Sequence, residues 1–397
     1  MNNFRISLLT LCCWLNSAPT VYGAKPIVEL TVGDQTYAGR TVAHDDQSCW
    51  LLQNDGRLEQ LSLSTISKFR KLPGTFASLK AIELRSRLQQ EFGREYEVVG
   101  TEHYLVCAAN GEARAYADLF EETYRTCHHY FRVRNLKINS PEFPLVGIVF
   151  SSQKDFAEYM QNEGNAYSNG ILGYYSPTTN RTALFQQHRK TASLSSNLIH
   201  DGEDRVISPF SRSRDDIFSV SECDSLAVYH SRGTDEGSLA DTIIHEATHQ
   251  VAFNIGVHSR WGQNPRWVVE GLATVFEAPG IRERSTSLAS RLNRERFVWF
   301  GDYLKNRRSK KSLNDFIADD ELFGTATLDA YSQSWALTFY LLETRSSQFS
   351  RYLQRLAARS PIKPITEEDR LADFQAEFGR DLDWLDVELE RYFTKLK

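Results

Sequence analysis

Apolar and polar positions alternate with a period near two at the start of the chain, and the period lengthens further on. Ile27, Val28, Leu30 and Val32 form a partly alternating run that ends at Gly33-Asp34, a hairpin-type turn. Residues 36–43 and 49–53 repeat the pattern, with Asn54-Asp55-Gly56 as a second turn signal. Several short strands without a helix predict a small β domain over residues 24–72, an SH3-like barrel or an open β-sheet, suited to binding or packing rather than chemistry. Lys71-Leu72-Pro73-Gly74 marks its end.

Beyond that boundary the pattern mixes helix and strand. Residues 79–92 are helical in period, and 96–108 read as a strand or hairpin. Residues 113–131 form an amphipathic helix, with Tyr116, Leu119, Phe120, Tyr124 and Cys127 at helical spacing. Residues 143–150 are a buried strand, followed by a helix beginning near Ser152. Strands at 170–175 and 182–185 flank the loop Ser176-Pro177-Thr178-Thr179-Asn180. Residues 186–236 are rich in Ser, Arg and Asp without sustained period, as in a long loop or insertion. From Ser238 to Leu396 the pattern is almost wholly helical. The prediction is an α+β fold, with one larger domain over residues 79–397 behind the small β domain.

Composition changes this picture little, except at the N-terminus. Net charge is -5 with no long block of one sign, so there is no basic stripe of the kind nucleic-acid binders carry. Arg5, the apolar run at 6–15 and the small residues before Ala24 follow the order of a secretory signal peptide over residues 1–23. The apolar run is about half the ~20 residues a membrane span needs. A secreted or periplasmic protein without a membrane span after cleavage is expected. Cys49, Cys107, Cys127 and Cys223 would remain, able to form up to two disulfides in three connectivities.

The chemistry sits in Asp241-Thr-Ile-Ile-His245-Glu246-Ala247-Thr248-His249. Ser238 and Asp241 suit the opening of a helix, and Gly256 its end. His245 and His249 are four apart, so both imidazoles project from one helix face, as two ligands of a tetrahedral zinc require. Glu246 is rotated by about 100° from His245 and can flank the metal as a base. Chance yields on the order of 0.02 such HExxH matches in a chain of this histidine content. A second helix then opens at Asn264-Pro265 and presents Glu270 among Trp267, Val268, Val269 and Leu272. An acid on so apolar a helix is costly without a partner, and zinc is such a partner.

HEATHQ followed by PRWVVEGLATVFE resembles the gluzincins, zinc peptidases with two His from HExxH and a Glu from the next helix, and in particular a secreted bacterial branch of that clan. The resemblance spans roughly residues 96–397 and is strongest over 238–343. It implies that His245, His249 and Glu270 bind Zn2+ and that Glu246 is the general base. It implies a zincin-like fold, with a small twisted sheet above the active-site helix and a helical lobe below. The strand at 170–175 or 182–185 would then be the edge on which a peptide lies. Glu277 resembles a hydrogen-bond partner of a ligand His, and Tyr331 the tyrosine that aminopeptidase-type gluzincins aim at the oxyanion. The Gly-rich motif that binds a substrate's free amino terminus in aminopeptidases is not visible upstream of His245, so aminopeptidase activity does not follow.

Cys127-His128-His129 reads as ordinary helix residues rather than a second metal site or a nucleophile, since adjacent helical residues diverge by about 100° and the two His cannot easily chelate together. His188, His200, His230 and His258 are scattered in polar surroundings, with surface placement the default. No serine-hydrolase, dinucleotide or P-loop motif occurs. The sequence therefore predicts zinc-dependent hydrolysis of peptide bonds in a peptide or protein substrate. The competing reading is a zinc-stabilised binding or scaffold protein that cleaves nothing.

Overall fold

The computed structural model describes residues 26–167, 170–186, 226–229 (backbone), 239–310 and 312–396. The predicted signal peptide, Cys223, His188, His200, His230, Ser238 and most of the predicted 186–236 loop lie outside the described residues.

The N-terminal strands are β1 (Pro26–Val32), β2 (Gln35–His44), β3 (Ser48–Gln53), β4 (Leu58–Ser62) and β5 (Ile66–Thr75). They pair antiparallel in the order β4-β3-β2-β1-β5. The sequence predicts a boundary at residues 71–74, yet β5 runs through Pro73 and Gly74. It can do so because β5 is an edge strand, where a missing N–H costs no ladder bond on the open side. β3 is apolar on both faces. Cys49 and Leu51 pack with Val28, Leu30 and Leu61, while Trp50 and Leu52 pack with Leu58, Phe143 and Trp261. That second face docks the sheet onto the rest of the molecule.

The larger unit follows in chain order as α1 (Ala81–Phe92), β6 (Tyr96–Gly100), β7 (Tyr104–Ala109), α2 (Ala113–Arg132), β8 (Leu145–Phe150), α3 (Gln153–Asn162), β9 (Ile171–Ser176), β10 (Arg181–Phe185), β11 (Leu226–Tyr229) and α4 (Leu239–Asn254). Its mixed sheet has the order β11-β9-β10-β8-β7-β6, with β8 parallel to both neighbours. Alternation sorts the two faces. Leu105, Cys107, Val146 and Ile148 meet Leu84 and Leu88 of α1 and Phe156 and Met160 of α3. Tyr104, Val106 and Val149 meet α2 and α4 on the other side. Neither β9 nor β10 is an edge, since each is paired on both sides. The expectation of a peptide-binding edge at 170–175 or 182–185 is overturned by that pairing.

The helical region comprises α5 (Arg266–Phe276), α6 (Pro279–Arg282), α7 (Leu288–Arg291), α8 (Arg294–Asn306), α9 (Ser312–Ala318), α10 (Glu321–Thr325), α11 (Thr327–Thr344), α12 (Ser346–Ala357), α13 (Glu367–Phe378) and α14 (Leu382–Lys395). The molecule is thus mixed α+β, with an N-terminal β domain and a helical C-terminal region. Among the described residues, no helix is long and apolar enough to cross a membrane.

α4 lies between the sheet and the helical region, and every residue from Thr242 to Phe253 is buried. Gln250 finds polar partners there. Gln250 Nε2 donates to the carbonyls of Val146 (3.1 Å) and Asn180 (2.9 Å), and Gln250 Oε1 accepts from Thr182 (3.1 Å). Close approach needs a glycine in β9, because a Cβ on Gly173 would meet Thr242 Cγ2 at 2.9 Å. The sequence reading of these helices and strands holds to within a few residues.

Candidate metal centre

His245 and His249 stand one turn apart on α4, with their Nε2 atoms 3.0 Å from each other. Glu270 on α5 brings Oε2 to 3.3 Å from His245 Nε2 and 3.5 Å from His249 Nε2. These side chains are at most 1% exposed. Their ligand atoms lie within 4.8 Å of one another, a group able to hold a metal ion.

The chain reversal between the two helices explains how Glu270 arrives. Gly256 takes φ +86°, and the amides of Val257 and His258 both return to the carbonyl of Ala252. Asn264 accepts from Ser259 N and donates to the carbonyls of Ser259 and Gly262, which closes the loop. The sequence suggests Asn264 as N-cap and Pro265 as the first helical residue. Instead Pro265 occupies the cap position and Asp320 accepts the Arg266 amide at 3.2 Å. Asn264 is already committed to the loop. α5 then packs on α11 at Gly271, where a Cβ would fall 2.1 Å from Thr338 Oγ1 and 2.6 Å from the Ser334 carbonyl.

Hydrogen bonds behind the cluster fix its first histidine. Glu277, the C-cap residue of α5, sits with Oε1 2.7 Å from His245 Nδ1, and its Oε2 accepts from Asn293 Nδ2 at 2.6 Å. Asn293 also donates to the Thr274 carbonyl and, as N-cap of α8, accepts from Arg296 N. Burial opposes charging His245, but its bonds to Glu270 and Glu277 outweigh that and raise it to about 10. Burial lowers His249, against the pull of Glu270. Burial likewise works against the Glu270 carboxylate, and the two histidines overcome it, holding the group well below the usual range.

Glu246 is fully buried beside the Tyr175 backbone, outside ordinary hydrogen-bond geometry. Neither carboxylate oxygen has a hydrogen-bond partner among the described residues, and Glu270 Oε1 also lacks a hydrogen bond. Burial pushes Glu246 well up; His245 opposes the shift and Glu270 adds to it. Tyr331 of α11 is fully buried with its ring 6.5 Å from the His245 ring. Its phenol is hydrogen-bonded to the Arg266 guanidinium, whose Nε stands 4.0 Å from Glu270 Oε1. Burial raises the phenol well above its usual range, with the Glu270 charge adding to the effect. The structure therefore gathers His245, Glu246, His249, Glu270, Glu277 and Tyr331 in one buried region.

Other expectations fare differently. His258 is buried rather than on the surface. Its Nε2 has no partner among the described residues, and burial pushes it down to about 3, with His249 adding to the shift. The doubled return of the chain to Ala252 turns it inward. Cys49, Cys107 and Cys127 are free thiols in three separate clusters, so no disulfide joins them. Cys127 contacts Thr248 on the back of α4 at 3.8 Å. Glu102, His103 and Glu121 also come together. There Glu121 is already engaged by Thr101, the His103 amide and Arg125. Sequence reasoning misses Asn293, Arg266 and Arg296. Only Asn293 carries a local signal, an Asn placed to cap a helix.

Fold and site together define a mixed α+β protein with a buried two-histidine, one-glutamate cluster. Residues 239–363 match the model of a family described as "Protein of unknown function (DUF1570)". The matched stretch contains every residue of the cluster and of its hydrogen-bonded surroundings. No curated protein matches the chain.

Proposed function

We propose that the chain is a zinc metallopeptidase of the gluzincin type, in which His245, His249 and Glu270 hold the ion and Glu246 is the general base. One observation carries this reading: the triangle of ligand atoms. Tetrahedral zinc with bonds of about 2.0–2.1 Å has ligand atoms about 3.3 Å apart. The separations here are 3.0, 3.3 and 3.5 Å. The donor set also suits zinc, and Glu277 at His245 Nδ1 turns the other ring nitrogen toward the ligand triangle. Both carboxylate oxygens of Glu246 are buried without a hydrogen-bond partner among the described residues, which is costly unless a cation lies close by. The mixed sheet over α4, with helices beyond, supports a zincin-like arrangement.

Bound there, the ion would polarise the scissile carbonyl and make a water acidic enough to attack near neutral pH. Glu246 accepts the proton of the attacking water and returns it to the leaving nitrogen. Tyr331 donates to the oxygen on which charge develops, an interaction that strengthens only in the transition state. Arg266 holds the phenol in place for it. Gln250 and Gly271 keep the two ligand-bearing helices in register, the first against the sheet and the second against α11. The substrate class is a peptide or protein.

The test separates metal binding from turnover. Glu246→Gln is expected to retain one zinc per chain by elemental analysis while cleavage of a fluorogenic peptide library drops by about 10²–10⁴-fold. Equal turnover by the variant and the wild type would remove Glu246 from the mechanism.

A further inference from the structure

Behind the Glu277–His245 hydrogen bond lies a cavity of about 600 Å³, bounded by Asp241, Glu277, Pro279, Ser290, Asn293 and Arg296. It adjoins the candidate centre directly, because Glu277 belongs to both. The Tyr331 ring is near both Arg296 and His245, 5.5 Å from the Arg296 guanidinium carbon and 6.5 Å from the imidazole ring.

Arg296 is the unusual member of this wall. It is 3% exposed, and its Nε has no hydrogen-bond partner among the described residues. The nearest carboxylate among those residues is Glu295, half exposed and 4.0 Å away. A buried guanidinium with five donors is held at a cost unless anionic acceptors meet it. Glu277 is turned to His245 and Asn293 and forms no ion pair with Arg296. The face of Tyr331 offsets part of the charge but satisfies no N–H. The same cavity receives the N-terminal end of α8, which begins at Arg294 behind its cap Asn293. That end of a 13-residue helix adds positive potential beside the guanidinium, which with Arg294 offsets the lining carboxylates Asp241, Glu277 and Glu295.

We propose that Arg296 is a substrate-binding residue, and that the cavity receives a peptide carboxylate: an acidic side chain or the free C-terminus. The inference rests on the peptidase reading above for its substrate class. The planar fork of Arg296 matches a carboxylate, and a carboxamide of equal shape presents one acceptor and no charge. Discrimination should therefore be large between these isosteres and small between peptides that differ elsewhere.

The experiment measures binding, so that it does not depend on turnover. Full-length Glu246→Gln protein is titrated with four pools of acetylated hexapeptides of randomised sequence. The pools end in carboxylate or carboxamide, each with one Glu or with Gln in its place. A pool with a carboxylate at the preferred position should bind roughly ten- to a hundred-fold more tightly than its carboxamide counterpart. Which pair differs identifies the source, side chain or terminus. Adding Arg296→Gln should abolish the difference, and Arg296→Lys should leave only a fraction of it. The wild-type comparison needs no substitution at Arg296, so a variant that fails to fold does not remove the test. Equal binding of acid and amide pools, no binding by any pool, or an unchanged ratio in Arg296→Gln overturns the proposal. Carboxylate-selective binding by a protein that cleaves nothing when wild type would keep the anion site and discard the peptidase reading.

Discussion

At the scale of single residues, Glu277 and Asn293 show how far the site extends beyond His245, His249 and Glu270. Asn293 holds one oxygen of Glu277, Glu277 holds His245 Nδ1, and His245 turns its other nitrogen to the cluster. Each step fixes the orientation of the next. Glu277→Gln is expected to weaken zinc binding by about ten- to a hundred-fold in competition with a chromophoric chelator. Asn293→Ala should move the same way by less, since the contact of Glu277 with His245 Nδ1 remains. Unchanged affinity in both variants would reduce Glu277 to a helix-end charge. His258 illustrates the limit of reading residues singly. Its polar neighbours in sequence suggest a surface position, and only the turn back to Ala252 buries it.

At the scale of elements, the sequence is legible where period and turn chemistry agree. The spacing of His245 and His249 on one helix and the apolar company of Glu270 suffice to group those three residues. Tyr331 and Glu277 follow from resemblance, and both lie at the cluster. The edge-strand expectation fails because strand order is a property of the sheet, which no local pattern records. Arg266 and Arg296 escape notice because an arginine in a polar stretch looks the same whether it faces solvent or a cavity. Gly271 is also silent in sequence, yet it sets the distance between α5 and α11. A methyl there meets Thr338 Oγ1 and the Ser334 carbonyl, which have little room to retreat. Gly271→Ala should destabilise the fold by about 1–3 kcal/mol in chemical denaturation, through overpacking. A neutral result would mean that the two helices can separate without loss.

For the whole molecule, the N-terminal sheet is a fixed part of the assembly. Arg260, just past α4, donates to the carbonyl of Gly56 in the β3–β4 turn and to that of Pro177 beside β9. The Leu58 amide bonds the Thr178 carbonyl, and Leu79 N bonds that of Asn54. Three segments far apart in sequence thus meet on one side of the larger domain.

Gln250 anchors α4 to the sheet, whereas Gly271 seats α5 on α11. The two histidines therefore belong to one layer of the protein and Glu270 to another. An ion held by all three would act as a tie between layers, and folding stability would become a function of free zinc. At a free concentration a hundred times the dissociation constant, that linkage is about 2.7 kcal/mol. Melting temperature should climb with the logarithm of free zinc in the wild type and stay flat in His249→Ala. A flat line in both would show that the layers hold together without the tie.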